Sequence, residues 1–192
     1  MDLSRFFNAK SIAVIGVSRE SEKIGHVIFK NLIDSGYKGK LFPVNPKAHE
    51  ILGHHCYDSV KSIKERIDVA VIAIPAKIIL KTIGECGKKK IKNVVIITAG
   101  FGEIGNKKLE KELKQKLEKY KIQAIGPNCL GILETKHNID SLFLPRYRMQ
   151  RPKKGNISFV SQSGAVGSAI LDHAVKQGLR FAKFVSYGNA LI

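Results

Sequence analysis

Two glycine-containing segments of this sequence carry side chains suited to holding phosphate. Gly16-Val17-Ser18-Arg19 leads into Lys23-Ile24-Gly25, and Ser161-Gln162-Ser163-Gly164 lies further along. Each follows an apolar, β-branched run and precedes residues with helical spacing, so each falls where a strand turns into a helix. The first N–H groups of a helix have no partner within it and attract anions, and hydroxyl, guanidinium and ammonium groups add donors and charge. The plainer reading makes Arg19 and Lys23 solvated surface residues and the serines of 161–164 helix caps. The first segment is not the dinucleotide fingerprint: Gly16 and Ser18 fill the first two glycine places of G-x-G-x-x-G, but the third falls on Ser21. A nicotinamide dinucleotide site also expects an acid after the second strand for the ribose hydroxyls. Asn45 and Lys47 stand there instead, and Lys47 suits a phosphate.

Other reactive residue types point to less. His54 and His55 are adjacent and do not converge on one ion, and His26, His49, His137 and His173 lack ligand spacing, so no metal site is expected. Cys129 follows the fifth strand; as a nucleophile it needs a base that the sequence does not identify, and a packed loop cysteine is the expectation. The three cysteines, Cys56, Cys86 and Cys129, fit neither a disulfide framework nor a zinc site and suit a reducing cytoplasm.

The elements that must position these loops alternate. Apolar runs predict strands at 11–17, 40–44, 68–74, 93–98 and 122–125; helical spacing predicts helices at 23–35, 58–64, 76–88 and 106–120. Such alternation means parallel strands joined by right-handed crossovers. The fold class is therefore α/β, a Rossmann-like doubly wound parallel sheet over roughly residues 5–130. Ligands of such sheets sit outside the carboxyl ends of the strands, which adds Ile74, Pro75 and Ala76 after the third strand and Asn128 and Cys129 after the fifth. Residues 135–154, rich in Pro, Arg and Lys, break the rhythm and read as a linker. A strand at 156–160, a helix at 164–177 and a strand at 180–186 then form one βαβ unit, too small to bury a core of its own. The expectation is an incomplete second domain with an apolar face left uncovered, so that the chain self-associates or needs a partner.

Thirty-three Lys and Arg against sixteen Asp and Glu give a net charge of +17 over 192 residues, which attracts polyanions. Much of the excess lies in 88–92 and 107–121, where Leu109, Leu113 and Leu117 share a helical face and the lysines alternate with Glu110, Glu112 and Glu118. That is a solvated helix with i,i+4 pairs. Helix-turn-helix, RNP-like and zinc-finger patterns are missing, and the aromatics do not interleave with the basic runs, so nucleic acid is not the expected partner. No apolar run nears the roughly 18–20 residues of a membrane span, and the first residues lack a secretion signal; the expected location is the cytoplasm.

Taken together, KIGHVIFKNLIDSGYKGKLFPVNPK, DVAVIAIPA, ITAGFGEIG, IGPNCLGI and FVSQSGAVGSAILDHA resemble the CoA-binding region of NDP-forming acyl-CoA synthetases. The likeness is to the α part of ADP-forming acetate–CoA ligases and, more distantly, of succinyl-CoA synthetases. It implies a Rossmann-like CoA-binding domain over 1–135, a linker over 136–154, and over 155–192 the first βαβ unit of a flavodoxin-like ligase domain, apparently truncated. It implies a chemistry in which acyl-CoA, ADP and phosphate interconvert with acid, CoA and ATP through an acyl phosphate and a phosphohistidine. By the same resemblance Gly16, Ser18, Arg19, Lys23 and Gly25 line the CoA phosphates, Asn45 and Lys47 lie along the CoA, and Ile74, Pro75 and Ala76 flank its adenosine or pantetheine. Asn128 and Cys129 sit near the thiol, and Ser161, Gln162, Ser163 and Gly164 hold the phosphoryl group. No histidine here matches the family's phosphorylated one, and no ATP-grasp region is present. ATP or ADP with Mg would thus enter only through an ATP-grasp β subunit or fused domain, an oligomer is implied, and this chain alone is expected to bind CoA without turnover. The competing readings are a noncatalytic CoA-binding protein and an NAD-binding Rossmann regulator.

Overall fold

The computed structural model describes residues 3–191. A short helix α1 (Ser4–Phe7) precedes strand β1 (Ser11–Ile15), helix α2 (Ile24–Asp34) and strand β2 (Lys40–Val44). A small hairpin of β3 (Glu50–Ile51) and β4 (His54–His55) leads to β5 (Val69–Ile72), α3 (Ile79–Lys88), β6 (Asn93–Ile96), α4 (Lys107–Tyr120) and β7 (Gln123–Ile125). The five longer parallel strands stand in the order β2-β1-β5-β6-β7. Strand order therefore reverses between β1 and β5, which is the switch point of a doubly wound sheet.

Both faces of this sheet are covered, which is why its strands read as continuous apolar runs. Side chains alternate across a strand, so Ala13 and Ile15 pack with α3 and α4 through Ile79, Ile83, Leu113 and Leu117. Ile12 and Val14 face the other way, onto Ile28, Phe29 and Leu32 of α2. Helix α4 buries Leu113 and Leu117 and leaves its lysines outside, as its leucine spacing predicts. The expected helix at 58–64 is not formed; residues 58–62 make bends and turns, and Val60 and Ile63 enter the core from this irregular path.

A second sheet holds β8 (Gly131–Glu134), β9 (Ile139–Asp140), β10 (Lys154–Ser161) and β11 (Phe181–Ser186), ordered β10-β11-β8-β9. Strands β10 and β11 are parallel and joined by α5 (Gly164–Lys176), whereas β8 runs antiparallel to β11. The stretch 136–154 thus departs from the linker expected of it. It supplies β9, and Asp140, Leu142 and Met149 are buried. The physical reason is the one that predicted dependence: α5 and β11 are too small to close a core, so Leu171, Phe181 and Phe184 pack on Leu130, Leu133, Leu142 and Met149 from the preceding segment. The opposite face of this sheet, with Ile132 and Ile139, packs into the α2 side of the first unit.

Candidate functional site

A cleft of about 930 Å³ opens at the carboxyl ends of the strands, between the two units. Its first wall is the loop after β1. Gly16 has a φ of +94°, and a Cβ there would lie 2.1 Å from the Ala73 carbonyl oxygen. Gly25, in the first turn of α2, approaches the same loop so closely that a Cβ would fall 2.0 Å from the Gly16 carbonyl. These glycines, nine positions apart, let backbone meet backbone and bring the start of α2 against the end of β1. No side chain caps α2. Its first residues, Ile24 and Gly25, line the cleft together with Lys23, so the helix N-terminus offers open N–H donors beside an ammonium group.

Hydrogen bonds within the loops fix their shape. The Asn45 side-chain amide donates to the Val17 carbonyl at 2.6 Å, and its oxygen accepts from Lys47 N–H at 2.8 Å. Asn45 therefore ties the loop after β2 to the loop after β1. Thr98 plays the same part after β6: its hydroxyl donates to the Ile74 carbonyl at 2.9 Å and accepts from Ile74 N–H at 3.2 Å. The buried His26 ring sets Nδ1 2.8 Å from the Ser18 carbonyl.

The far wall comes from the second unit. Ser163 caps α5, its hydroxyl accepting from Val166 N–H at 3.3 Å, and Ser161 donates to the Ser163 carbonyl at 2.9 Å. The capping role expected of this segment is thus present. Gln162, Ser163, Gly164, Ala165 and Ser168 also line the cleft. Two helix N-termini, of α2 and α5, therefore border one cavity. Cys129 lies between them and is buried; its thiol donates to the Ile96 carbonyl at 3.3 Å. Burial pushes that thiol up to about 12, which favours the protonated form at neutral pH.

Of the residues singled out from the sequence, the cleft brings together Gly16, Ser18, Lys23, Gly25, Asn45, Ile74, Pro75, Asn128, Cys129, Gln162, Ser163 and Gly164. Arg19, Lys47, Ala76 and Ser161 are outside the lining. Arg19 and Lys47 are exposed on the flanking loops, Ala76 opens the single turn before α3, and Ser161 ends β10. The sequence reading missed Thr98, Phe143, Leu144 and Ser168. Ser168 stands four residues after Gly164, on the same helical face, a spacing that could have found it. Phe143 and Leu144 carry no such signal, because they lie in a segment whose Pro, Arg and Lys content reads as a connection. Among the described residues no cluster of His, Cys, Asp and Glu could hold a metal ion.

The fold and the sequence match known proteins. Residues 10–135 match the family model of the CoA binding domain, and residues 154–192 match the succinyl-CoA ligase-like flavodoxin domain. The chain is 48% identical over 180 residues to an ADP-forming acetate–CoA ligase of Methanocaldococcus jannaschii, covering 94% of this chain and 25% of that one. It is 46% identical over 190 residues to the α subunit of ADP-forming acetate–CoA ligase II of Pyrococcus furiosus, covering 97% and 40%. The dinucleotide-forming acetyl-coenzyme A synthetase 1 of Ca. Korarchaeum cryptofilum, solved with phosphate and ADP, superposes with a TM-score of 0.93 at 40% identity over 99% of this chain and 40% of that one. The chain thus spans a quarter to two-fifths of the length of these relatives. A doubly wound sheet with its cleft at the strand ends, and a family match over residues 10–135, place the chain in the CoA binding domain family.

Proposed function

We propose that this chain is the CoA-binding portion of an ADP-forming acyl-CoA synthetase, one that joins an acid to CoA at the expense of ATP and runs equally in reverse. The observation that carries the reading is the single cleft bordered by the starts of α2 and α5. CoA is a thiol on a long, thin pantetheine attached to a polyanion. The open N–H groups of Ile24 and Gly25, with Lys23, suit its diphosphate, and Gly16 allows the backbone to come close. Arg19 and Lys47, on the flanking loops, add positive charge for the remaining phosphate. Ile74 and Pro75, with Ala76 just beyond them, offer an apolar surface to the adenosine or pantetheine. The thiol end runs toward Asn128 and the loop of Cys129, where Ile97, Leu130 and Phe143 make the lining apolar. There it approaches the start of α5, whose amide groups at Gly164 and Ala165, with Gln162 and Ser163, suit a phosphoryl group.

Cys129 serves this site by packing, since its thiol is buried and protonated. No side chain of the cleft supplies a phosphorylatable histidine. Nucleotide and Mg are accordingly assigned to an ATP-grasp subunit or domain, working in the cytoplasm as part of a larger assembly. An NAD site is disfavoured by the loop after β2, where Asn45 is committed to the Val17 carbonyl and no acid stands ready for ribose hydroxyls.

Calorimetric titration of the chain with CoA and with NAD tests the reading. CoA binds and NAD binds more weakly or not at all; Lys23→Ala weakens CoA about tenfold, the size of one charged hydrogen bond. Tighter binding of NAD, or no heat with CoA, refutes it. Incubation of this chain alone with acetate, CoA and ATP gives no sustained acetyl-CoA synthesis.

A further inference from the structure

The opposite end of the first sheet holds a second charged cavity that CoA binding does not use. It has a volume of about 280 Å³ and lies at the amino ends of β5, β6 and β7, where Asp68, Asn93 and Gln123 begin or precede the strands. Five cationic side chains line it: Arg5, Arg66, Lys90, Lys92 and Lys121. The single carboxylate in the lining is Asp68, and its role is structural. It is buried, its Oδ2 accepts from Lys10 N–H at 3.0 Å, and its Oδ1 lies 3.4 Å from Arg5 and 3.5 Å from Arg66. One carboxylate thus aims two guanidinium groups at the same basin. Lys92 donates to the Tyr120 carbonyl, while neither Lys90 nor Lys121 has a carboxylate partner among the described residues.

A second observation concerns the backbone under those two lysines. Lys90 has a φ of 62° and Lys121 a φ of 51°. Both are left-handed, at the ends of α3 and α4, where a glycine relieves strain and a lysine does not. Four carbonyls near the ends of these helices take backbone donors, not the ammonium groups of Lys90 and Lys121. Lys90 and Ile91 N–H donate to Gly87 and Cys86, and Lys121 and Ile122 N–H donate to Glu118 and Leu117. These are the paired bonds of a helix ending on a left-handed residue, so the conformation belongs to the two helix stops. Each stop thereby sets an ammonium group without a carboxylate partner on the lining of one basin.

We propose that this basin is a binding site for a small polyphosphate, a ligand with a diphosphate or triphosphate group. Guanidinium groups oriented by Asp68 supply planar donors to phosphate oxygens, and the lysines supply point charges. The basin is exposed, so binding weakens as salt rises. The site is remote from the strand-end cleft and does not rest on the CoA reading.

Inorganic pyrophosphate is the probe, titrated at low salt into the protein without CoA, with amide chemical shifts recorded so that the basin and the cleft are read separately. The informative variant is Lys90→Gly/Lys121→Gly. Glycine removes both charges and relaxes both left-handed residues, so the fold is kept. The expected result is shifts at the amides around Lys90, Lys121 and Gln123, whether or not those of Ile24 and Gly25 also move. The double variant binds at least tenfold more weakly while its thermal midpoint is unchanged or raised. ADP and ATP displace pyrophosphate if the group recognised is the phosphate tail of a nucleotide, and leave it bound if it is the inorganic ion. The proposal is overturned by absence of binding, by shifts confined to Ile24 and Gly25, or by pyrophosphate affinity unaltered in the double variant. A thermal midpoint lowered by the glycines with unaltered affinity would instead make the lysines partners of the helix dipoles.

Discussion

Glu103 shows how one carboxylate can order the rim of the cleft. It accepts hydrogen bonds from the N–H groups of Gly100 and Phe101, and the Asn189 amide donates to it at 2.7 Å and to Glu110 at the same distance. Asn189 in turn accepts from the Asn128 side chain at 3.3 Å, which links the turn after β11 to the loop of Cys129. Partial burial raises the Glu103 carboxyl, but the donors from Gly100, Asn189 and Phe101 outweigh it and hold the group below its ordinary value of 4.5. A lowered folded value means that the stabilisation is complete above 4.5 and is lost as pH falls through the depressed value. Amide exchange at Gly100 and Phe101 should therefore keep its protection down to pH about 4.5 and lose it below, and Glu103→Gln should abolish that dependence. Equal pH dependence in the variant would remove Glu103 from this role. At this scale the sequence was legible where chemistry and strand ends coincide, as at Lys23, Asn128 and Gly164. Asn45 was found for a different reason from the one that holds it: its amide is spent on the Val17 carbonyl. Asn189, whose partners are some 60 and 80 positions away, has no local signal at all.

Among the elements, the segment 136–154 taught most. Its arginines look like the solvated charges of a connector, yet Arg151 is buried against Asp140. Arg151 Nε and Arg146 donate to one Asp140 oxygen at 2.9 and 3.0 Å, and Arg151 also donates to the carbonyls of Leu144 and Met149. Burial pushes the Asp140 carboxyl up, and the two guanidinium groups oppose the shift. Removing Arg151 leaves Asp140 only the part-exposed Arg146 and takes a donor from the Leu144 and Met149 carbonyls, so Arg151→Ala should lower stability by about 1–3 kcal/mol in denaturant unfolding. A loss under about 1 kcal/mol would show that water replaces the guanidinium. Because Leu144 lines the cleft and accepts from Arg151, the same variant should also weaken CoA binding. The main strands and helices were readable because each has a single period and covers a face. The turns at 58–62 and the strands β8 and β9 were not, since their apolar residues are set by what the second sheet needs rather than by local spacing.

For the molecule as a whole, the balance lies between charge and an uncovered face. Strand β10 is an edge, with Val160 60% exposed, and Val166 and Ile170 of α5 are 54% and 38% exposed. Open edges with apolar side chains pair with other chains. The net charge of +17 opposes that pairing until salt screens it. Light scattering should accordingly find a mass above one chain that grows with concentration and salt, and Val160→Lys should bring it back to one. A single-chain mass at high salt throughout would sink this expectation.

The antiparallel partnership of β8 with β11 has a bearing on how such proteins are assembled from parts. The two family matches stop at residue 135 and resume at residue 154, which marks a natural place to splice genes. Yet a splice there would hand β8 to one product and β10 and β11 to the other, halving a sheet and baring Leu133 and Phe184. The modules are separable as text but interlocked as objects, so recombination that respects the fold must carry both across together.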